Sequence, residues 1–326
     1  MDTLTYLTLI ITYQCSSRCE HCCIGAGPEF NEWMSLEDAE YYIAEVTRTN
    51  HINLMTLIGG EALLDVDRTI AIGKLALRYG IDNVDVDTNG SWAVDEENAL
   101  RILRRLIDAR LTISAISVDT FHQRHVSRER ALCAMRAARK LGLDIGGSSE
   151  ILDAEDAVNI YDTETREIAD WFKQYDFDVR PGLPPNVIFQ GRAVNLAYAC
   201  MKPRSIPRET CSGVPWFSTA DFRRPGGLQI DVHGWVMVEH GICIGNAKSR
   251  PLKNILTSYN VQDHPIIRVL IEKGPLGLTE IPEAEGFMLR EEGYVNKCHL
   301  CQEIRTFLRP RFPDILCPEN YYPKIT

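Results

Sequence analysis

The sequence predicts an α/β protein: a partial (β/α)6 TIM-type barrel with a small C-terminal α+β domain built on a β-hairpin. Three observations predict it. Short apolar, β-branched runs alternate with helix-like stretches through the first half of the chain. Residues suited to chemistry follow the apolar runs directly, as in barrels whose sites lie at the strand C-termini. The pattern breaks after Arg192, where Pro203, Pro207 and Pro215 interrupt the chain and Pro225-Gly226-Gly227 opens a hairpin-like stretch. Alternation alone leaves a full and a partial barrel, or an open sheet, equally possible.

Leu4 to Thr12 is apolar and β-branched, the pattern of a buried strand. A cysteine-rich loop follows. Ser35 with Asp38 three residues on reads as a helix N-cap, and that helix runs to about Thr49. Asn53 to Ile58 is the second strand and ends in Gly59-Gly60. Ile70 to Tyr79 is helical, Asn83 to Thr88 is the third strand, and Asp95 to Asp108 places Leu100, Leu103, Leu106 and Ile107 at helical spacing. Leu111 to Val118 is the fourth strand, Ser127 to Leu141 a helix, Asp144 to Glu150 the fifth strand and Thr163 to Gln174 a helix. A sixth strand falls between Phe177 and Phe189. Leu228 to Val232 and Trp235 to Val238 flank the tight turn His233-Gly234. These breaks divide the chain into a core domain, 1–199, and a second domain, 200–326.

Length and composition allow this. The chain has 326 residues, 45 % apolar and 25 % charged, enough for a sizeable core and unlike a disordered chain. Lys and Arg number 35 against 45 Asp and Glu, a formal charge of −10, which disfavours a nucleic-acid partner. The basic run Arg101, Arg104, Arg105 and Arg110 reads as a solvated helix face. The sequence shows neither a membrane-spanning apolar stretch nor a secretory signal, so a cytoplasmic location is expected. There are eleven cysteines, an odd number, and in a reducing compartment they read as metal ligands or reactive thiols.

Spacing sharpens that reading. Cys15, Cys19 and Cys22 form C-x3-C-x2-C on one short loop. Three thiolates can hold three irons of a [4Fe–4S] cube and leave the fourth open. A zinc site would need His21 or Cys23 as fourth ligand, both awkwardly placed in sequence. The adjacent Cys23 reads as a small buried residue.

The motif, set directly after an N-terminal strand, resembles the defining feature of the radical S-adenosylmethionine (SAM) superfamily. Gly59-Gly60-Glu61 resembles that family's GGE element, which binds the SAM ammonium; Ser117-Val118-Asp119 resembles its ribose-binding residues; Thr88-Asn89-Gly90 and Gln190-Gly191-Arg192-Ala193 resemble further strand-end elements. His21 stands where the family often has an aromatic beside the adenine. The resemblance spans roughly residues 4 to 193 and implies SAM as cofactor, bound through His21, Gly59, Gly60, Glu61, Asn89, Ser117, Asp119 and Arg192. It further implies reductive cleavage of SAM to a 5′-deoxyadenosyl radical, which takes a hydrogen atom from substrate. Ferredoxin or flavodoxin would be the electron donor.

Cys298-x2-Cys301 is a chelating pair, Cys211 precedes the hairpin and Cys243 follows it. This resembles the twitch/SPASM auxiliary-cluster domains, which implies a second [4Fe–4S] cluster on Cys211, Cys243, Cys298 and Cys301; structural zinc or scattered buried thiols are the alternatives, and Cys317 or Cys200 could replace Cys211. Cys200 and Cys317 then remain as candidate hydrogen donors, with Cys133 on a helix. His122 and His125 are candidate substrate contacts. Enzymes of this kind oxidise or epimerise sugars, aminocyclitols or peptide residues. The chain begins almost directly with its first strand, leaving no leader-binding domain, which tilts the expectation toward a small sugar-like substrate. A peptide-modifying maturase, of the type that matures ribosomally made peptides, is the alternative. A non-catalytic metal-binding regulatory module is a third reading.

Overall fold

The structure is a computed structural model and describes residues 1, 4–152, 159–181, 187–213 and 221–324. The strands are β1 (Tyr6–Ile10), β2 (Leu54–Ile58), β3 (Asn83–Val86), β4 (Leu111–Thr112), β5 (Ala115–Ser117), β6 (Gly146–Ser149), β7 (Val179–Pro181), β8 (Gly227–Asp231), β9 (Trp235–Glu239) and β10 (Ile242–Asn246). They form a seven-stranded sheet in the order β10-β9-β8-β1-β2-β3-β4 and a three-stranded sheet β5-β6-β7. An isolated bridge from Thr88 to Ile116 joins the two. The sheet does not close, so the barrel is partial.

The helices that cover the first half start where their caps dictate. For α1 (Leu36–Thr47), Ser35 Oγ accepts from the Asp38 N–H. Asp65, Asp95 and Asn159 cap α2 (Val66–Arg78), α3 (Glu96–Asp108) and α6 (Ile160–Lys173) in the same way. A short helix not read from the sequence, α4 (Thr120–Gln123), is capped by Asp119 and precedes α5 (Arg128–Lys140). On α3, Arg101 and Arg104 are exposed and Arg105 pairs with Asp67; Arg110, just beyond it, is exposed too. The remaining helices are α7 (Ala193–Cys200), α8 (Leu252–Ser258), α9 (Pro265–Gly277) and α10 (Lys297–Leu308).

Two expectations change. The single fourth strand is broken in two: β4 pairs with β3 while β5 pairs with β6. The break has a visible anchor, since Thr112 Oγ1 and Ser114 Oγ both donate to the Asp85 carboxylate, 2.7 and 2.8 Å away. The hairpin, moreover, extends the core sheet: β8 runs parallel to β1 with Thr8 opposite Gln229. The edge of the first half and the start of the second are one sheet across residue 200. Of the expected sixth strand, β7 is seen; 182–186 lie outside the described residues.

Strand alternation sorts the chemistry. Leu7, Leu9, Met55, Leu57, Val84 and Val86 are buried on one face, as period two requires. The opposite face carries polar residues at mid-strand. In register across five strands stand Gln229, Thr8, Thr56, Asp85 and Thr112. Barrel interiors are ordinarily filled by Val, Ile and Leu; here a polar rung lies beneath the strand ends.

Candidate active site

The loop from Tyr13 to Ala26 is pinned from several sides. The Gly60 N–H donates to the Thr12 carbonyl at 3.0 Å and the Glu61 N–H to the Gln14 carbonyl at 2.9 Å. A Cβ on Gly60 would collide with the Gln14 carbonyl and the Cys15 Cβ, so only glycine permits this approach. Gly191 (φ +53°) passes equally close to the Cys23 carbonyl. Arg192 then clamps the loop: its N–H donates to the Cys22 carbonyl (3.0 Å), Nε to Cys19 (3.0 Å) and Nη2 to Ala26 (2.6 Å). From the far end of the chain, Asn320 Nδ2 donates to the Ile24 carbonyl at 2.6 Å.

This loop walls one side of a cavity of about 400 Å³. Cys15, Cys19 and Cys22 line it together with Gly59, Gly60, Asn89, Ser117, His21 and Arg192. Asn89 Nδ2 points at Cys15 Sγ from 3.7 Å. Burial pushes the Cys15 thiol up to about 12, and Cys19 higher still. Such thiols ionise when metal binds, because the metal takes thiolates. His21 stacks on Phe121, ring centroids 4.5 Å apart, and burial pulls it down to about 4. It is a neutral aromatic face on the cavity. Three thiols on one loop, beside glycines that open the backbone, fit the ligand set of a cluster with an open iron.

Two expected contacts take other roles. Glu61 is buried, and its carboxylate accepts from the Asn89 N–H (2.7 Å), Thr88 Oγ1 (2.8 Å) and the Leu63 N–H (3.1 Å). It ties the second strand end to the third and does not line the cavity. Asp119 is likewise enclosed: it accepts from the His122 N–H and Nδ1 and from the Glu150 N–H. The residue it delivers to the cavity is His122. Burial pulls His122 down, but the Asp119 carboxylate outweighs this and the net shift is upward. Burial would raise Asp119, yet His122 and His21 hold it well below the usual carboxylate range. His21, Asp119 and His122 also bring ligand atoms within 4.8 Å of one another; the hydrogen bond from His122 to Asp119 accounts for their approach. His125 is exposed and apart from the cavity.

Several lining residues were not singled out from sequence. Asp87 is exposed where it opens onto the cavity, and desolvation there, with Asp85 and Glu61 adding, raises its carboxyl above the usual carboxylate range. Glu150 is pushed up to about 8 by burial, with Asp119 adding. Gln229 and His240 complete the wall nearest the hairpin. Their signal was positional: Asp87 is next to last in a predicted strand and Glu150 ends one.

The candidate hydrogen donors are corrected. Cys200 donates its thiol to the Leu196 carbonyl on α7, and Cys317 is buried beside Cys243; neither lines the cavity, and Cys133 packs on α5. The free thiol that does line it is Cys23.

The second cysteine set is gathered only in part. Cys211, Cys298 and Cys301 line one small cavity of about 20 Å³ with Glu239, Gln190, Lys297 and Arg305. Cys243 is not among them. Its thiol donates to the Cys317 carbonyl at 3.0 Å.

The comparisons agree with this geometry. Residues 9–152 match the model of the radical SAM superfamily, a family whose cofactors are SAM and a [4Fe–4S] cluster. Over 148 residues it is 26 % identical to GTP 3′,8-cyclase of Ectopseudomonas mendocina (strain ymp), 43 % of each chain. Over 127 residues it is 20 % identical to YydG of Bacillus subtilis (strain 168), named for peptide biosynthesis, covering 39 % of this chain and 40 % of that one. These matches thus span less than half of the curated relatives. Native anSMEcpe with bound AdoMet shares the fold at TM-score 0.52 and 14 % identity, over 95 % of this chain and 97 % of that chain. No helix among the described residues is long and apolar enough to cross a membrane.

Proposed function

We propose that the chain is a radical SAM enzyme that abstracts a hydrogen atom from a polar substrate, a sugar-like small molecule or a peptide residue, and so oxidises or epimerises it. The carrying observation is that Cys15, Cys19, Cys22, Gly59, Gly60, Asn89 and Ser117 face one cavity whose deeper wall is polar. When bound and reduced, the cluster supplies the electron that splits SAM into methionine and a 5′-deoxyadenosyl radical. The chain's own residues position and select. Gly59 and Gly60 leave room for the methionyl end of SAM, and His21 offers a neutral ring to its adenine. Asp87, Glu150, Gln229 and Thr8, which line the cavity, suit hydroxyl or amine groups of a substrate. A reaction that returns a hydrogen atom would draw it from Cys23. Ferredoxin or flavodoxin fits the need for one electron at a time.

A peptide substrate is the second reading. It is favoured by the likeness to YydG, and anSMEcpe has been solved with a Cp18Cys peptide.

The test is anaerobic incubation of the dithionite-reduced protein with SAM, read as 5′-deoxyadenosine and methionine. Release by the wild type, and none from the combined Cys15, Cys19 and Cys22 to Ala variant, supports the reading. No release from iron-loaded wild type overturns it and leaves the regulatory module.

A further inference from the structure

We infer that Glu239, and not Cys243, completes the C-terminal metal site, so that Cys211, Cys298, Cys301 and Glu239 hold an iron–sulfur cluster with one carboxylate ligand. This rests on the reading that a second cluster is present.

Four observations carry it. The first is membership: Glu239 shares the cavity with the three cysteines, whereas Cys243 turns its thiol to the Cys317 carbonyl. Cys298 and Cys301 sit at the start of α10, Cys211 arrives from the segment beyond α7, and Glu239 ends β9. Each of the three thiols feels both another of the cysteines or the buried Arg305 and the Glu239 carboxylate.

The second is alternation. Adjacent side chains at a strand end point to opposite faces. His240 therefore lines the SAM cavity while Glu239 lines the thiol cavity behind it. In the turn before α7, Gln190 lines the thiol cavity and Arg192 the cavity of the first cluster loop. The two sites stand back to back across a shared wall.

The third is charge. Arg305 is fully buried; Nη1 donates to the His240 carbonyl at 2.8 Å and Nη2 to Gln302 Oε1 at 3.2 Å. Among the described residues no carboxylate forms an ion pair with it. Lys297 lines the same cavity. Both cations face Glu239 and the three thiols in this cavity, and ionising the thiols on a cluster adds charge of the sign a buried guanidinium balances.

The fourth is spacing. Thiolates on a single zinc ion lie about 3.8 Å apart, as follows from tetrahedral bonds of about 2.3 Å. Among the described residues these four side chains are not gathered into a group of three or more ligand atoms able to hold one metal ion. Ligands of a cubane, each on a different iron, stand wider apart than ligands of one ion. Carboxylate oxygen is an accepted iron ligand, and a weaker one for a cluster than thiolate.

The experiment uses the full chain with Cys15, Cys19 and Cys22 changed to Ala, so that remaining iron reports the second site. It is reconstituted anaerobically with iron and sulfide, and read by iron content and electron paramagnetic resonance. The expected result is about four irons per chain, kept in Cys243→Ser. Glu239→Ala is expected to fall to about three irons with a three-iron signal, and Glu239→Cys to recover about four. Loss of iron in a folded Cys243→Ser, or an unchanged spectrum and iron content in Glu239→Ala, overturns the assignment. Zinc in place of iron, or no iron at all in the parent variant, also overturns it. If wild-type chain still releases 5′-deoxyadenosine in that last case, the functional reading stands without the second cluster.

Discussion

The two thiol sites differ in how they are assembled. Cys15, Cys19 and Cys22 come from one loop and face a cavity of about 400 Å³. Cys211, Cys298 and Cys301 come from segments some ninety residues apart and enclose about 20 Å³. The first site is local, roomy and bordered by glycines; the second is tertiary, tight and bordered by the buried Arg305 and the half-buried Lys297. The difference suits different tasks. An open iron needs space for a second ligand, while a closed site needs only its protein ligands and charge balance.

The comparison is broken most severely at the first site. Changing Cys15, Cys19 and Cys22 together should abolish 5′-deoxyadenosine release and remove about four irons, while leaving those of the second site. Iron assay and chromatography check both. If the second site empties as well, the two are not independent.

Arg305→Met probes the charge balance of the second site. It should destabilise the iron-loaded protein more than the apoprotein, by roughly 2–3 kcal/mol, because the loaded site adds thiolate charge to the Glu239 carboxylate already facing the guanidinium. Melts with and without iron measure the difference. An equal effect in both forms would reduce Arg305 to its bonds with His240 and Gln302.

Glu150 tests the roomy cavity. Burial holds its carboxyl up at about 8, against an ordinary value of 4.5. The folded state therefore binds the proton more tightly than the unfolded state, and stability falls as pH rises from about 4.5 to about 8. Glu150→Gln removes that loss. The variant should match wild type near pH 4 and exceed it above pH 8, by roughly 1 kcal/mol given water in the cavity. Apoprotein melts across this range check it; a constant difference would deny the shift.

The smallest effect is expected at Asn89. Its Nδ2 points at Cys15 Sγ, and a bond to a ligating sulfur favours the reduced cluster. Asn89→Ala should lower the first cluster's potential by about 20–40 mV, under 1 kcal/mol for one electron. The second cluster's potential should not move, as redox titration of each signal would show.

Much of the first site was legible because its information is local. C-x3-C-x2-C fixes three ligands within eight residues, and Gly59-Gly60 announces a backbone that must pass close to something. The strand and helix order followed from periodicity and caps, within a residue or two at Ser35 and Asp95. The hydrogen-bond partners of Glu61 and Asp119 were not legible in the sequence, for a physical reason. Both are carboxylates at strand ends, and each accepts from an orphan N–H of the turn that follows it, Leu63 and His122.

What the sequence determined by itself was the α/β alternation, the three-thiol loop and the motifs that ally it with radical SAM domains, since each depends on neighbours in the chain. Only the tertiary structure decided the rest. The parallel pairing of β8 with β1 makes the hairpin an extension of the core sheet, and that pairing sets Gln229 beside Thr8. Alternation at the end of β9 then sends His240 to one cavity and Glu239 to the other. A side chain's face depends on the register of a strand with a partner more than two hundred residues away, and no local pattern encodes that register.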